Sequence, residues 1–143
     1  MNDEGKICTH HFTGQENGYW IDEGLADFYL LMRKTLEPNE TLEQALYRGL
    51  QEEFGASSDI NDYLGSIQSH FVHEGVTVEK TTIYFLCKLR NQDLSKRRKS
   101  DVEGQTEIEW QTPDFLISKM QQQAKKYRRT DVDESAILAK VLL

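Results

Sequence analysis

Residues 41–55 constrain this chain more than any other stretch. Thr41 stands where a helix needs an N-terminal cap, and Gln44, three residues on, completes a capping-box pattern. Gly55 ends the stretch with the residue that most readily takes a left-handed C-terminal cap. Wound at roughly 100° per residue, residues 41–54 place Leu42, Ala45, Leu46, Leu50 and Phe54 on one apolar stripe. A helix with such a stripe lies against a core. Glu53 falls inside the stripe and Glu52 at its edge. An ionised carboxylate facing a core is costly unless it is paired or holds a metal. Mg²⁺, which takes oxygen ligands and shares substrate phosphates, would account for Glu53. So would a basic partner, or an escape to solvent at a fraying helix end. The helical wheel leaves these alternatives open.

The flanking segments supply a sheet. Residues 25–33 are apolar and aromatic, as in a buried strand, and Pro38-Asn39 marks a turn within the polar stretch 34–40. Residues 63–73 and 79–89 read as strands, with Ile83, Phe85, Cys87 and Leu89 on one face of the second. A polar loop over 91–105 precedes a short strand at 107–110. Thr112-Pro113-Asp114 starts a helix, with a cap, a proline in the first turn and an acid near the positive end. A last helix is expected from 133 to about 141. Residues 1–24 are broken by Gly14, Gly18 and Gly24 and are expected to form loops with at most one short strand. This order predicts an α/β fold, a mixed sheet with helices on its faces. At 143 residues it suits one domain spanning 1–143.

Composition narrows the function classes. The formal net charge of -7 opposes binding to nucleic-acid polymers. The longest apolar runs are too short to span a bilayer, and the acidic start Met1-Asn2-Asp3-Glu4 does not read as a signal peptide. Cys8 and Cys87 show no zinc spacing and read as free thiols in a reducing cytoplasm. His70 and His73 sit three apart on a predicted strand and so point to opposite faces. His10 and His11 read as polar terminal residues, and Lys96-Arg97-Arg98-Lys99 as a solvated basic run. Tyr19 and Trp20 are candidates to stack on a base, whereas Trp110 suits the core.

The segment 31–56, LMRKTLEPNETLEQALYRGLQEEFGA, resembles the box of the Nudix family, G-x5-E-x7-R-E-U-x-E-E-x-G-U with U aliphatic. Glu40 matches the first glutamate, and Arg48, Leu50, Glu52, Glu53, Gly55 and Ala56 then follow in register. Glu107-Ile108-Glu109-Trp110 followed by Thr112-Pro113-Asp114 also resembles a common Nudix ending. The resemblance implies an α/β/α sandwich with the loop–helix motif. It also implies Mg²⁺ or Mn²⁺ held by Glu52 and Glu53 as the catalytic pair, and a small nucleoside-diphosphate substrate. Glu40, Arg48 and Gly55 are then motif-structural residues. Homodimers are common among such proteins.

Two positions depart from the box. Lys34 replaces its glycine, and Gly49 replaces the glutamate that joins Glu52 and Glu53 on one helix face. Restoring a carboxylate at 49 is expected to strengthen metal binding. Lys34, with Arg33 beside it, is a candidate phosphate contact, and Glu103 and Glu107 are candidate downstream carboxylates for the substrate site. Two functions follow. One is a Mg²⁺-dependent pyrophosphohydrolase weakened by the substitutions. The other is a catalytically inactive module that binds or senses a nucleotide. Retention of Glu40, Arg48, Glu52 and Glu53 argues against a bare interaction domain.

Overall fold

The computed structural model describes residues 1–143. The elements run β1 (Ile7–Phe12), a single turn α1 (Tyr19–Asp22), β2 (Phe28–Leu30), α2 (Leu42–Phe54), β3 (Ala56–His73), β4 (Val76–Gln92), β5 (Glu107–Gln111), α3 (Pro113–Tyr127) and α4 (Ser135–Val141). Short 3₁₀ turns lie at Leu94–Lys96, Val102–Gln105 and Thr130–Val132.

β1 is the centre of a three-stranded sheet in the order β2-β1-β5, antiparallel to both neighbours, with His10 opposite Leu30 on one side and Ile108 on the other. β3 and β4 form a separate antiparallel hairpin. The α/β architecture stands, but the expected mixed sheet is replaced by two all-antiparallel units. The turn chemistry explains the hairpin: Glu74 and Gly75 both take positive φ (50° and 78°), the backbone that folds consecutive strands onto each other. The first residue joins the units. Leu89 N–H donates to the Met1 carbonyl (2.9 Å), and the Met1 ammonium donates to the Cys87 carbonyl (2.6 Å).

Alternation along β1 and its neighbours sorts the core into two faces. Ile7, Tyr29 and Leu31 pack with Leu116 and Met120 of α3 and Leu138 of α4. Cys8, Met32 and Ile108 pack with Leu50 and Phe54 of α2, joined by Cys87 and Leu89 of β4. Helices therefore cover opposite faces of β1, and α2 is pressed between that sheet and the hairpin.

Several boundaries differ from expectation. The region 1–24 contributes the central strand of a sheet, because β1 finds its partners far along the chain at β2 and β5. The strands expected at 63–73 and 79–89 extend to 56–73 and 76–92, and the strand expected at 25–33 shortens to Phe28–Leu30. Leu42 and Ile83 lie outside the core, 45% and 41% exposed, so the stripe on α2 starts at Ala45.

Candidate functional site

The site grows from the two ends of α2. At its start the capping box is complete: Gln44 N–H donates to Thr41 Oγ1 (3.1 Å), and Thr41 N–H donates to Gln44 Oε1 (2.9 Å). The preceding loop is drawn onto the helix by Arg48, which donates to both oxygens of Glu40 (2.7 and 2.9 Å) and to the Thr35 carbonyl (3.0 Å). The guanidinium holds the Glu40 carboxyl down to about 2.

At its end α2 is held by distant residues. Gly55 takes a left-handed φ of 59°. Asp93 N–H donates to the Gly55 carbonyl (2.8 Å), and Arg98 N–H donates to the Glu52 carbonyl (2.6 Å). Arg97 Nε donates to the Glu53 carbonyl (2.7 Å), and its terminal nitrogens donate to the Thr106 carbonyl and hydroxyl (3.0 Å each). The run Lys96–Lys99, expected as a solvated stretch, thus contains the clamp on the helix terminus. These backbone acceptors leave no mark in the sequence.

Glu52 and Glu53 are adjacent but meet different surroundings. Lys34 Nζ lies 2.7 Å from Glu52 Oε2, with Arg48 at 3.5 Å, and Arg98 stands 3.4 Å from Oε1. Lys34 foremost keeps the Glu52 carboxyl below its ordinary range. Glu53 is only 2% exposed. Burial pushes its carboxyl up to about 8 against the lowering charge of Lys34, and the negative charges of Glu103, Glu52 and Asp101 add smaller pushes in the direction of burial. It is therefore mostly protonated at neutral pH.

Facing Glu53 is His10, equally buried, with Nε2 3.8 Å from Glu53 Oε1. Its Nδ1 lies 2.6 Å from Thr106 Oγ1, whose own hydroxyl donates to the Glu103 carbonyl (2.9 Å), so His10 is the donor in that bond. Burial, then Arg97 and Lys34, lower His10 to about 3, and the ring is neutral. His11 points to the opposite face. Both its nitrogens donate to carboxylates, Asp27 (2.7 Å) and Glu109 (2.9 Å). Burial alone would lower its pKa, but these partners outweigh it and raise it. Neither histidine is a loose terminal residue. The only sequence signal was their place in an alternating strand.

The remaining candidates divide. Glu103 contributes charge near Glu53. Glu107 does not join it, because it lies beside His11 (3.8 Å) on the far face of the sheet. Arg33 is anchored on Glu134 (3.0 Å) and on the Asp131 carbonyl (2.8 Å). Two hollows that share Arg33, Phe71 and Lys80 form a cleft running from Lys34 and α2 along β4 to Tyr19 and Trp20.

A Nudix domain model matches residues 10–130. The chain belongs to the Nudix family. Seventeen chains of solved structures match it. Among them is the solution structure of the E. coli ORF135 protein, with a TM-score of 0.56 over 99% of this chain and 82% of that one, at 16% identity. At that identity the likeness speaks for the fold alone. No curated protein matches the sequence. No helix is long and apolar enough to cross a membrane.

The Nudix family is of pyrophosphohydrolase type and typically works with a divalent cation, so the donors on α2 must be tested for one. In favour, Oε2 of Glu52 and Oε2 of Glu53 are both buried without a hydrogen-bond partner. Against, Glu52 is already ion-paired with three cations, and position 49 offers no oxygen. Three metal-binding side chains converge at one place, His11, Glu107 and Glu109. They lie on the other face of the sheet, with both His11 nitrogens engaged. As they stand, the donors on Glu52 and Glu53 do not fit a divalent cation. Adding a carboxylate at 49 does not simply repair the set. A Cβ there would lie 2.7 Å from Met32 Sδ and 3.1 Å from Lys34 Cβ.

Proposed function

We propose that this Nudix chain, acting as one domain over residues 1–143, binds a small nucleotide-type phosphate compound in the cleft between α2 and the β3–β4 hairpin. It acts as a binding or sensing module, without metal-assisted cleavage. The observation that carries this reading is the meeting of cations and rings in one cleft: Arg33, Lys34 and Lys80 line it, together with Tyr19, Trp20 and Phe71. Cationic side chains serve a phosphate group, and aromatic rings serve a base. Lys80 lacks a close counter-charge. Burial first, and Arg33 second, hold its pKa below the ordinary lysine value, so an anion in the cleft is favoured. Arg33 is held in place by Glu134, whose carboxylate also accepts from the Tyr84 hydroxyl (2.6 Å). A reducing, cytoplasmic setting suits the free thiols Cys8 and Cys87.

Hydrolysis with Mg²⁺ or Mn²⁺ on Glu52 and Glu53 is the second reading. The unpartnered Oε2 atoms of Glu52 and Glu53 favour it. Calorimetry with nucleoside mono- and diphosphates, in EDTA and again in Mg²⁺, beside a chromatographic assay for nucleoside monophosphate released from dinucleotides, nucleotide sugars and nucleoside triphosphates, separates the two. The binding reading expects affinity that survives EDTA, no turnover, and weakening by Lys80→Met. Mg²⁺-dependent turnover that disappears in Glu53→Gln would overturn it, as would the absence of any binding.

A further inference from the structure

Position 34 and position 49 depart from the Nudix box together, and they touch. The space a side chain at Gly49 would occupy is filled by Met32 and by the stem of Lys34. From there Lys34 reaches one turn along α2 and sets its ammonium 2.7 Å from Glu52 Oε2. The lysine is only 17% exposed at its side chain, so this is not a solvated surface pair. Its charge is felt at Glu40 and Glu53 as well as at Glu52. Arg48 and Arg98 close in on the same glutamate.

A divalent ion on Glu52 would have to sit about 2.1 Å from a carboxylate oxygen. That oxygen is already in contact with an ammonium, and like charges this close repel. We infer that Lys34 is the resident cation of this site: its ammonium takes the place beside Glu52 that a divalent ion would need, the missing side chain at Gly49 makes room for it, and phosphate recognition here is metal-independent. The inference deepens the binding reading above and rests on it for the phosphate part only. The exclusion of metal by Lys34 is a separate claim, measurable with no ligand present.

The test is Mn²⁺ binding, read from the free-ion signal in electron paramagnetic resonance, on the parent chain, Lys34→Met and Lys34→Gln. Met keeps the apolar stem that packs over Gly49, and Gln keeps a polar end. A thermal melt of each variant confirms that it folds, and two different replacements guard against a local packing defect. The expected result is weak binding by the parent and roughly ten-fold tighter binding in both variants, lost again when Glu52→Gln is added. Equal binding in all three proteins, or no binding in any, overturns the inference. Calorimetry with inorganic pyrophosphate in EDTA is run alongside. Its failure would sink the cleft reading while leaving the Mn²⁺ result to decide the role of Lys34.

Discussion

The two ends of α2 are built in opposite ways. The start is held mainly by near neighbours: Thr41 and Gln44 cap each other, and Arg48 grips Glu40 eight residues back while also reaching Glu52. The end is held from outside, by Asp93, Arg97 and Arg98 on the carbonyls, Lys34 on Glu52 and His10 against Glu53. A helix start satisfied locally keeps its geometry whatever the rest of the fold does. A helix end satisfied by remote groups changes its chemistry when those groups change. That is how this Nudix chain retains the box glutamates and yet surrounds them with cations and apolar surface.

The largest effect that would test this contrast is expected at Gly55. A Cβ there would sit 1.9 Å from the Asp93 carbonyl oxygen, and the φ of 59° is already unfavourable for other residues. Gly55→Ala is expected to cost on the order of 3 kcal/mol, because backbone cannot move aside as a side-chain tip can. Urea denaturation measures this. A loss below that of an ordinary surface substitution would mean the 93–106 segment is not clamped on α2.

Next comes the charge state at the acidic turn. Glu53 folds with its pKa raised to about 8, so the unfolded chain releases that proton first and stability falls as pH rises from the ordinary carboxylate range to about 8. His10, lowered to about 3, gives the opposite slope between about 3 and its ordinary value of 6.5. The two oppose each other at acidic pH, and above pH 6.5 the Glu53 loss stands alone of the pair. It amounts to on the order of 2 kcal/mol between pH 6.5 and 8. His11, also raised, loses stability in the alkaline direction too. Comparison with Glu53→Gln isolates the glutamate, since that variant keeps both histidines. Its melting temperature should gain on the parent's steadily from pH 6.5 to 8. Parallel pH profiles for the two proteins would refute a buried, protonated Glu53.

The smallest effect belongs to the locally held end. Thr41→Ala removes one capping hydrogen bond and is expected to cost about 1 kcal/mol. The Mn²⁺ behaviour of Lys34→Met should be unaffected by adding it. If loss of the cap instead altered metal binding, the two ends would be coupled and the contrast would fail.

The legible parts of the chain follow the same division. The capping box, the left-handed Gly55, the Thr112 cap and the two long strands are local patterns, and they appeared where pattern placed them, with strand edges shifted by up to seven residues. The α/β class and the family were legible for the same reason: the box is a fixed register on one helix. The role of β1 was not legible, because a six-residue strand becomes the centre of a sheet only through partners about 20 and 100 residues away. Nor was the fate of the charges. Adjacent His10 and His11 ended with opposite shifts because alternation sent one into an apolar interior and the other between two carboxylates. Glu52 and Glu53 parted in the same way. Spacing along the chain was enough to say which residues stand on which helix turn, because backbone geometry makes that a matter of counting. Whether those carboxylates are free, paired or protonated came from the folded molecule, because ionisation depends on burial and on neighbours brought from elsewhere in the chain.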